Sequence, residues 1–242
     1  TGLSSGTHLQ SFLCGRLAHT MSVSRTLLEG ATVHFGSYNY SSWSLRVLLM
    51  TRRAAPEVKE RYYDTKDEDE LRKIKELSPT GCYPVLELAD GTIIWDTLSI
   101  VELVAEAHPE AHCWPADPKQ RALARSIVAE MHSSFDQVRG LMPMDIVHKK
   151  ELEAKPDALV EQINRIKTIW ETCLKQSRGP CLFGVDFTIP DAFYAPVVWR
   201  FRTYGIKVSK ELDHFAKTIM EDPIMIEWVE DAEREIANRN KK

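Results

Sequence analysis

The sequence predicts two domains, a small α/β domain with a mixed β-sheet and an all-helical domain that follows it. In the first half of the chain, short β-like runs alternate with segments whose apolar residues have helical spacing. An Ala-Asp-Gly turn at residues 89–91 separates two of these runs, as expected for a β-hairpin. Beyond Pro118 the apolar periodicity is helical throughout. The 242 residues suffice for each domain to bury a core of its own.

The elements of the first domain follow each other in the order β-α-β-α-β-β-α. Strands are predicted at residues 32–37, 58–63, 85–88 and 92–95. Three sets of apolar residues at helical spacing predict the helices, namely Leu45, Leu48 and Leu49, then Leu71, Ile74 and Leu77, then Leu98, Val101 and Ala105. Pro79 and Gly81 end the second helix, and Pro109 ends the third. This order is the thioredoxin-like arrangement, which we place at residues 31–111.

The second domain, placed at residues 118–242, is predicted to be a helical bundle that follows a proline-containing linker. Three apolar faces predict its helices, and they consist of Ala124, Ile127, Met131, Phe135 and Val138, of Leu159, Ile163, Ile166, Trp170 and Cys173, and of Val229, Ala232 and Ile236. Each set is expected to lie on a single helix.

Residues 1–30 are expected to be a disordered leader outside both domains. They contain arginine and many serine and threonine residues but almost no acidic residue, which is the composition of a mitochondrial transit peptide. Alternatively, Met21 is an ordinary start and the preceding residues are an added extension. The expected location is the cytoplasm, or mitochondria if the leader is a transit peptide.

The composition excludes several classes of function. With a net charge of -4 and no cluster of basic residues among aromatics, the chain lacks the features that nucleic-acid binding requires. Because no apolar run approaches the roughly 20 residues that span a bilayer, no membrane segment is predicted. The five cysteines form no CxxC pair, which favours a reducing compartment, and no metal site is predicted. The expected partners are small molecules or proteins.

The segment from Tyr40 to Arg46, between the first strand and the first helix, is the sharpest candidate site. Here the hydroxyls of Ser41, Ser42 and Ser44 and the backbone N–H groups meet the positive end of a helix, an arrangement that binds anions. The alternative is that one of these serines only caps the helix.

Two further places suit an extended ligand with a peptide-like middle. Pro84 opens the third strand, where a cis peptide bond would expose the backbone of Tyr83, whereas an ordinary trans proline is the alternative. Asp96 and Thr97 precede the third helix, whose N-terminus Thr97 can cap. The free N–H groups of this helix start can hold a carboxylate, and the carboxylate of Asp96 can bind an ammonium group. A ligand with an α-amino acid head, a peptide middle and a thiol would satisfy all three places.

The order SSWSLR, YPVL, DTLSI and then FTIPD at residues 187–191 resembles the glutathione transferase superfamily, closest to its serine-type, zeta-like members and bacterial relatives. The resemblance covers residues 31–240. It implies an enzyme that conjugates the thiolate of glutathione, its co-substrate, to small and largely apolar electrophiles in detoxification. It also implies a homodimer and no metal. The alternatives are a zeta-like glutathione-dependent isomerase and a non-catalytic binding module.

The resemblance also assigns roles by position. Ser41 would donate a hydrogen bond to the glutathione sulfur, and the neighbouring Ser42 is its possible substitute. Trp43 would also contact glutathione. Trp43 stands where zeta-type isomerases of maleylacetoacetate carry cysteine, which weakens the isomerase alternative. Tyr83 would pair through its backbone with the cysteinyl part of glutathione, beside the cis-proline Pro84.

The γ-glutamyl end of glutathione would be held by Asp96 and Thr97. Thr188 and Asp191 match a capping box in the helical core, and the residues themselves support this, because Thr-x-x-Asp lets each side chain bond an N–H at a helix start.

A second-substrate surface is predicted on the first helix of the bundle. His132, Phe135, Asp136 and Arg139 have spacings that put much of this set on one helical surface. There Arg139 or His132 would orient a polar group of the electrophile. The alternative is a solvated or interdomain face with Phe135 in the core.

Overall fold

A computed structural model of the protein describes residues 26–241. Its sheet contains four strands, which are β1 (Thr32–Gly36), β2 (Lys59–Tyr63), β3 (Val85–Glu87) and β4 (Ile93–Trp95). Their order is β2-β1-β3-β4, with β2 parallel to β1, and with β3 antiparallel to both β1 and β4. Each observed strand is one residue shorter than predicted. The mixed sheet confirms the thioredoxin-like prediction.

Three helices accompany the sheet, namely α1 (Ser42–Ala54), α2 (Glu68–Leu77) and α3 (Thr97–Ala107). A short 3-10 turn (Pro109–Ala111) follows α3. The described chain then forms α4 (Pro118–Ser133), α5 (Asp136–Leu141), α6 (Asp157–Ser177), α7 (Ile189–Thr203), α8 (Lys210–Met220) and α9 (Pro223–Arg239). The predicted helical character of the second part is therefore confirmed. Between residues 26 and 241, none of the helices combines the length and hydrophobicity needed to cross a membrane.

The predicted leader is only partly described. Residues 1–25 lie outside the described part of the chain. Leu28, by contrast, is fully buried in the core together with Ala31 and Val33. The last residues of the predicted leader therefore belong to the fold, because an apolar side chain there fills space beneath the sheet.

The single helix predicted from Ala124 to Val138 is wrong, because the structure divides it into α4 and α5. The chain breaks at Phe135, whose φ of 65° lies in the left-handed region. Arg139 stabilises the break, since its guanidinium donates to the carbonyls of Met131, His132 and Ser134 at the end of α4. Phe135 and Val138 are nevertheless buried, as their apolar pattern predicts.

The loop between β1 and α1 is held by side chains from the helical part. Trp228 donates from its indole to the carbonyl of Tyr38 at 2.8 Å, and Glu235 accepts the backbone N–H of Asn39 at 2.9 Å. The Asn39 side chain donates to Asp145 at 2.8 Å. Because α1 also packs against both α3 and α7, the start of α1 has a fixed position between the sheet and the bundle.

The predicted capping box lies at the start of α7, the most buried helix of the described chain. Asp191 is fully buried and accepts the backbone N–H of Thr188 at 2.8 Å, its hydroxyl at 2.9 Å, and the N–H of Leu182 at 2.9 Å. One carboxylate thus satisfies three donors that would otherwise be buried without an acceptor.

We expect Asp191→Ala to lower the free energy of unfolding by about 2–4 kcal/mol, because it leaves buried donors unpaired and removes the helix cap. Urea denaturation measures this loss. Asp213→Ala is the matched control, since Asp213 is exposed and pairs only with Lys217 in the same helix. Its expected cost is below about 0.5 kcal/mol. Equal costs for the two variants would contradict the structural role of Asp191.

Candidate active site

A cavity of about 850 Å³ lies between the sheet and the helical part of the chain. Its size is that of a site for a small organic ligand. The thioredoxin-like part contributes all the residues predicted to bind glutathione, which are Ser41, Ser42, Trp43, Tyr83, Pro84, Asp96 and Thr97. The helical part contributes Arg139, Met144 and Arg200. The structure therefore brings together five segments of the chain, at residues 41–43, 83–84, 96–97, 139–144 and 200.

Ser41 occupies the N-cap position of α1. Its Oγ accepts the backbone N–H of Ser44 at 3.1 Å and lies 2.7 Å from the Ser44 Oγ. Ser44 is fully buried, and its hydroxyl also lies 3.2 Å from the carbonyl of Gly36, to which it can donate. Ser41 therefore caps the helix, as one of the two sequence interpretations predicts, and it also lines the cavity.

Ser42 begins α1 and is buried beside Ser41. Its Oγ accepts a long hydrogen bond from Nη2 of Arg200 at 3.5 Å. The two adjacent serines therefore differ in their surroundings, since Ser41 contacts another hydroxyl and Ser42 contacts a cation.

The peptide bond between Tyr83 and Pro84 is cis, as predicted. It precedes β3 and lines the cavity. The Tyr83 ring also limits the residue that can end β1, because a side chain at Gly36 would collide with Thr65 and press against Tyr83. Burial raises the pKa of the Tyr83 phenol, so this group stays protonated at neutral pH.

Asp96, rather than Thr97, caps α3. The Asp96 carboxylate accepts the N–H of Leu98 at 2.8 Å, and its other oxygen lies 3.3 Å from Nε2 of His132. The predicted capping role of Thr97 is therefore corrected, because Thr97 is already the first residue of the helix and its hydroxyl points to the carbonyl of Trp43 at 3.4 Å. Asp96 is partly exposed to the cavity and retains room to accept a further donor.

Of the four residues predicted to contact a second substrate, only Arg139 lines the cavity. His132 lies behind Trp43, with ring centroids 5.3 Å apart, and burial lowers the pKa of its imidazole. Phe135 is buried in the core. Asp136 is exposed, accepts from the side chains of Gln137 and Gln162, and does not line the cavity.

Comparison with known proteins decides the family. The family model for the glutathione S-transferase N-terminal domain matches residues 40–107. The model for the C-terminal domain of the same family matches residues 151–231. The chain belongs to the glutathione S-transferase family. The predictions of a glutathione S-transferase enzyme and of glutathione as its co-substrate are confirmed at the level of this family.

Individual relatives are distant. A probable maleylacetoacetate isomerase of Caenorhabditis elegans is 29% identical over 69% of this chain and 77% of its own length. The glutathione S-transferase omega-1 of Rattus norvegicus is 26% identical over 62% of this chain and 61% of its own. A glutathione transferase homolog from Burkholderia, solved with bound glutathione, has a TM-score of 0.65 and 19% identity, covering 84% of this chain and 98% of that one.

Sequence reasoning missed two buried arginines of the transferase. Arg46, on α1, is fully buried, with its guanidinium carbon 4.7 Å from the centre of the Trp43 ring. Arg200, on α7, is buried at the wall of the cavity and donates from Nε to the carbonyl of Met142 at 2.8 Å. A signal was present, because each arginine stands within an otherwise apolar helical run, where charged residues are rare.

The cysteines of the transferase divide by exposure. Cys82 is free, exposed and at the edge of the cavity. Burial raises the pKa of the Cys113, Cys173 and Cys181 thiols, which are also free. Cys14 lies outside the described residues. In the part of the chain that the structure describes, no group of three His, Cys, Asp or Glu side chains could hold a metal ion.

Proposed function

We propose that this enzyme adds the thiolate of glutathione to small, largely apolar electrophiles, with Ser41 donating a hydrogen bond to the thiolate. The observation that best supports this proposal is the pair of hydroxyls, from Ser41 and Ser44, at the start of α1. The Ser44 hydroxyl has one proton, which can go to the carbonyl of Gly36 at 3.2 Å or to the Ser41 Oγ at 2.7 Å; donation over the shorter distance leaves the Ser41 proton for a ligand in the cavity.

The energies are sufficient for this mechanism. A free thiol has a pKa of about 8.5, so only a few per cent is thiolate at neutral pH. Lowering the pKa by about two units requires about 2.7 kcal/mol of preferential interaction with the thiolate. A hydroxyl bonded to an anion contributes about 1.5–3 kcal/mol, and a helix N-terminus about 0.3–1 kcal/mol. Neither a general base nor a metal is required.

The remaining residues of the cavity suit the rest of glutathione. The γ-glutamyl ammonium group would lie at Asp96, and its carboxylate at the N-terminus of α3 beside Thr97. The cysteinyl backbone would pair with Tyr83, beside Pro84. Trp43 would close one side of the site. The supporting observation is that all these residues line one cavity.

Ser42 is the alternative donor. Its Oγ accepts from Arg200, so its own proton is free to point elsewhere. The hydroxyl pair favours Ser41, since its Oγ accepts the N–H of Ser44, and also the Ser44 hydroxyl when that hydroxyl does not donate to Gly36; accepting hydrogen bonds makes a hydroxyl a better donor to an anion.

The direct test is turnover of glutathione with chlorodinitrobenzene as the electrophile, followed across a range of pH. We expect a rate that is already high at neutral pH and that falls only at acidic pH, because the bound thiol is ionised. If the enzyme binds glutathione but transfers it to no electrophile, the proposal is wrong.

A second candidate function is glutathione-dependent isomerisation. It is favoured by relatives named maleylacetoacetate isomerase in Caenorhabditis elegans and Dictyostelium discoideum, each 29% identical to this chain over the matched region. Trp43 weakens it, as noted above. Isomerisation of a cis-unsaturated dioxo acid in the presence of catalytic glutathione, without consumption of the thiol, would distinguish it from transfer.

The oligomeric state, the location, the cellular role and the domain bounds are also proposals. We propose a homodimer, a cytoplasmic location and a role in detoxification, all on the family resemblance. The two domains would be bounded at residues 31–111 and 118–242, which fits the family models at 40–107 and 151–231.

A further inference from the structure

Three arginines surround one end of the cavity. Arg139 and Arg200 line its wall, and Arg46 lies behind Trp43, whose ring centre is 4.7 Å from the guanidinium carbons of both Arg46 and Arg139. Their protein hydrogen bonds go to peptide carbonyls or to the Ser42 hydroxyl. Among residues 26–241, none of the three forms an ion pair with a carboxylate, whereas other arginines such as Arg52 and Arg239 do.

The donors of these arginines are incompletely used. Nη1 and Nη2 of Arg46 and Nη1 of Arg200 are buried without a hydrogen-bond acceptor in the described part of the chain. Leaving charged donors unsatisfied is costly, and buried cations are ordinarily paired. Arg200 lines the cavity, but its Nη1 is itself buried, so a ligand in the cavity meets the positive charge of the guanidinium and not this nitrogen.

The charges also repel one another. Burial, followed by the charges of Arg139 and Arg200, holds the pKa of Arg46 well below its usual range. Burial and the charge of Arg139 lower the pKa of Arg200 to about 10, which still leaves it protonated at neutral pH. Asp96 attracts Arg46, but among residues 26–241 no carboxylate pairs with Arg139 or Arg200, so the cavity wall that these two line favours the binding of an anion.

We propose that Arg139 and Arg200 bind a carboxylate of the second substrate, so that the preferred electrophiles are organic anions such as aryl or unsaturated carboxylates. This deepens the proposed function and rests on it. Nε and Nη2 of both arginines already donate to the protein, so the carboxylate would meet the positive charges of the two guanidiniums and the Nη1 donors that Arg139 has left. The apolar remainder of the electrophile would lie against Trp43 and Met144, which line the same cavity.

The γ-glutamyl carboxylate of glutathione does not account for this cluster. The sulfur is proposed to lie at Ser41, and Arg200 reaches Ser42, the next residue. The γ-glutamyl end is proposed to lie at Asp96 and Thr97. The arginines therefore flank the sulfur, where the reacting partner must approach.

The test compares two electrophiles that differ in one group, chlorodinitrobenzene and chlorodinitrobenzoate. For each protein the ratio of kcat/KM for the carboxylate to that for the neutral halide is measured and corrected for the uncatalysed rates. We expect this ratio to fall by about 10- to 100-fold in Arg139→Gln and in Arg200→Gln. Arg202→Gln is the matched control, since Arg202 is exposed on the same helix and does not line the cavity. Its ratio should equal that of the wild type.

Several outcomes would overturn the inference. One is an unchanged ratio of the two kcat/KM values in folded Arg139→Gln. If Arg200→Gln does not fold, Arg139→Gln alone decides the test. Another is a weaker affinity for glutathione itself in the arginine variants with no change in the ratio, because the anion would then be glutathione.

Failure of the proposed function is distinguished by binding. If the wild type turns over neither halide, calorimetry compares the dinitrophenyl and carboxydinitrophenyl conjugates of glutathione. Tighter binding of the carboxylate conjugate that is lost in Arg139→Gln would still support the carboxylate site. Equal binding of the two conjugates would overturn it.

Discussion

Ser41→Ala is expected to lower kcat/KM for glutathione transfer at neutral pH by about 10- to 100-fold, with the kinetic pKa of the thiol rising by about one to two units. The reason is the loss of the hydroxyl that would stabilise the thiolate. The pH profile of kcat/KM with chlorodinitrobenzene gives both quantities. At high pH the variant should recover most of its rate, because the thiol then ionises without help.

Two neighbouring variants serve as controls for this result. Ser44→Ala removes the hydroxyl 2.7 Å behind Ser41 and should raise the thiol pKa by a smaller amount. The pKa of the bound glutathione thiol should be lower in Ser42→Ala than in Ser41→Ala. Because Ser41 also caps α1, its loss should cost about 1 kcal/mol of stability, so folding is checked by urea denaturation. A shift in Ser42→Ala alone would transfer the donor role to Ser42.

Asp96→Asn is expected to weaken glutathione binding by about 10- to 100-fold, as measured by calorimetry. The change removes the negative charge proposed to pair with the γ-glutamyl ammonium group. Asparagine keeps an oxygen that can cap α3 and tolerates the positive φ of 73° at this position. The loss should therefore appear in affinity and not in stability.

Asp67→Asn is the control for the same substitution at a cap. Asp67 caps α2 through the N–H groups of Asp69 and Glu70 and does not line the cavity. Its affinity for glutathione should equal that of the wild type. If Asp96→Asn also binds glutathione normally, the γ-glutamyl group does not lie at Asp96.

The fold was largely predictable from local pattern. Turn residues and short β-like runs located all four strands to within one residue, since hydrophobic alternation and the Asp90-Gly91 turn act locally. The break at Phe135 was not predictable, because α4 and α5 bury their apolar residues in the same core and the pattern continues through it. Arg139 stabilises the end of α4 through hydrogen bonds to its last carbonyls, and the apolar pattern does not show where this side chain points.

The candidate site was predictable where a motif marks it. The serines at the start of α1 and the Asp96-Thr97 pair stand at helix starts, where sequence alone indicates free N–H groups. The arginine cluster was not predicted, because the direction of a side chain such as Arg46 depends on the packing of α1 against α7. Sequence spacing alone does not place Arg139 and Arg200 in one cavity.

In the proposed mechanism the protein ionises glutathione when it binds it. Titration of the binary complex, followed by the ultraviolet absorbance of the thiolate, tests this without any second substrate. We expect the pKa of the bound glutathione thiol to be about two units below that of the free thiol in the wild type and close to that of the free thiol in Ser41→Ala. If the thiol of bound glutathione titrates like free glutathione in the wild type, the proposed mechanism is wrong.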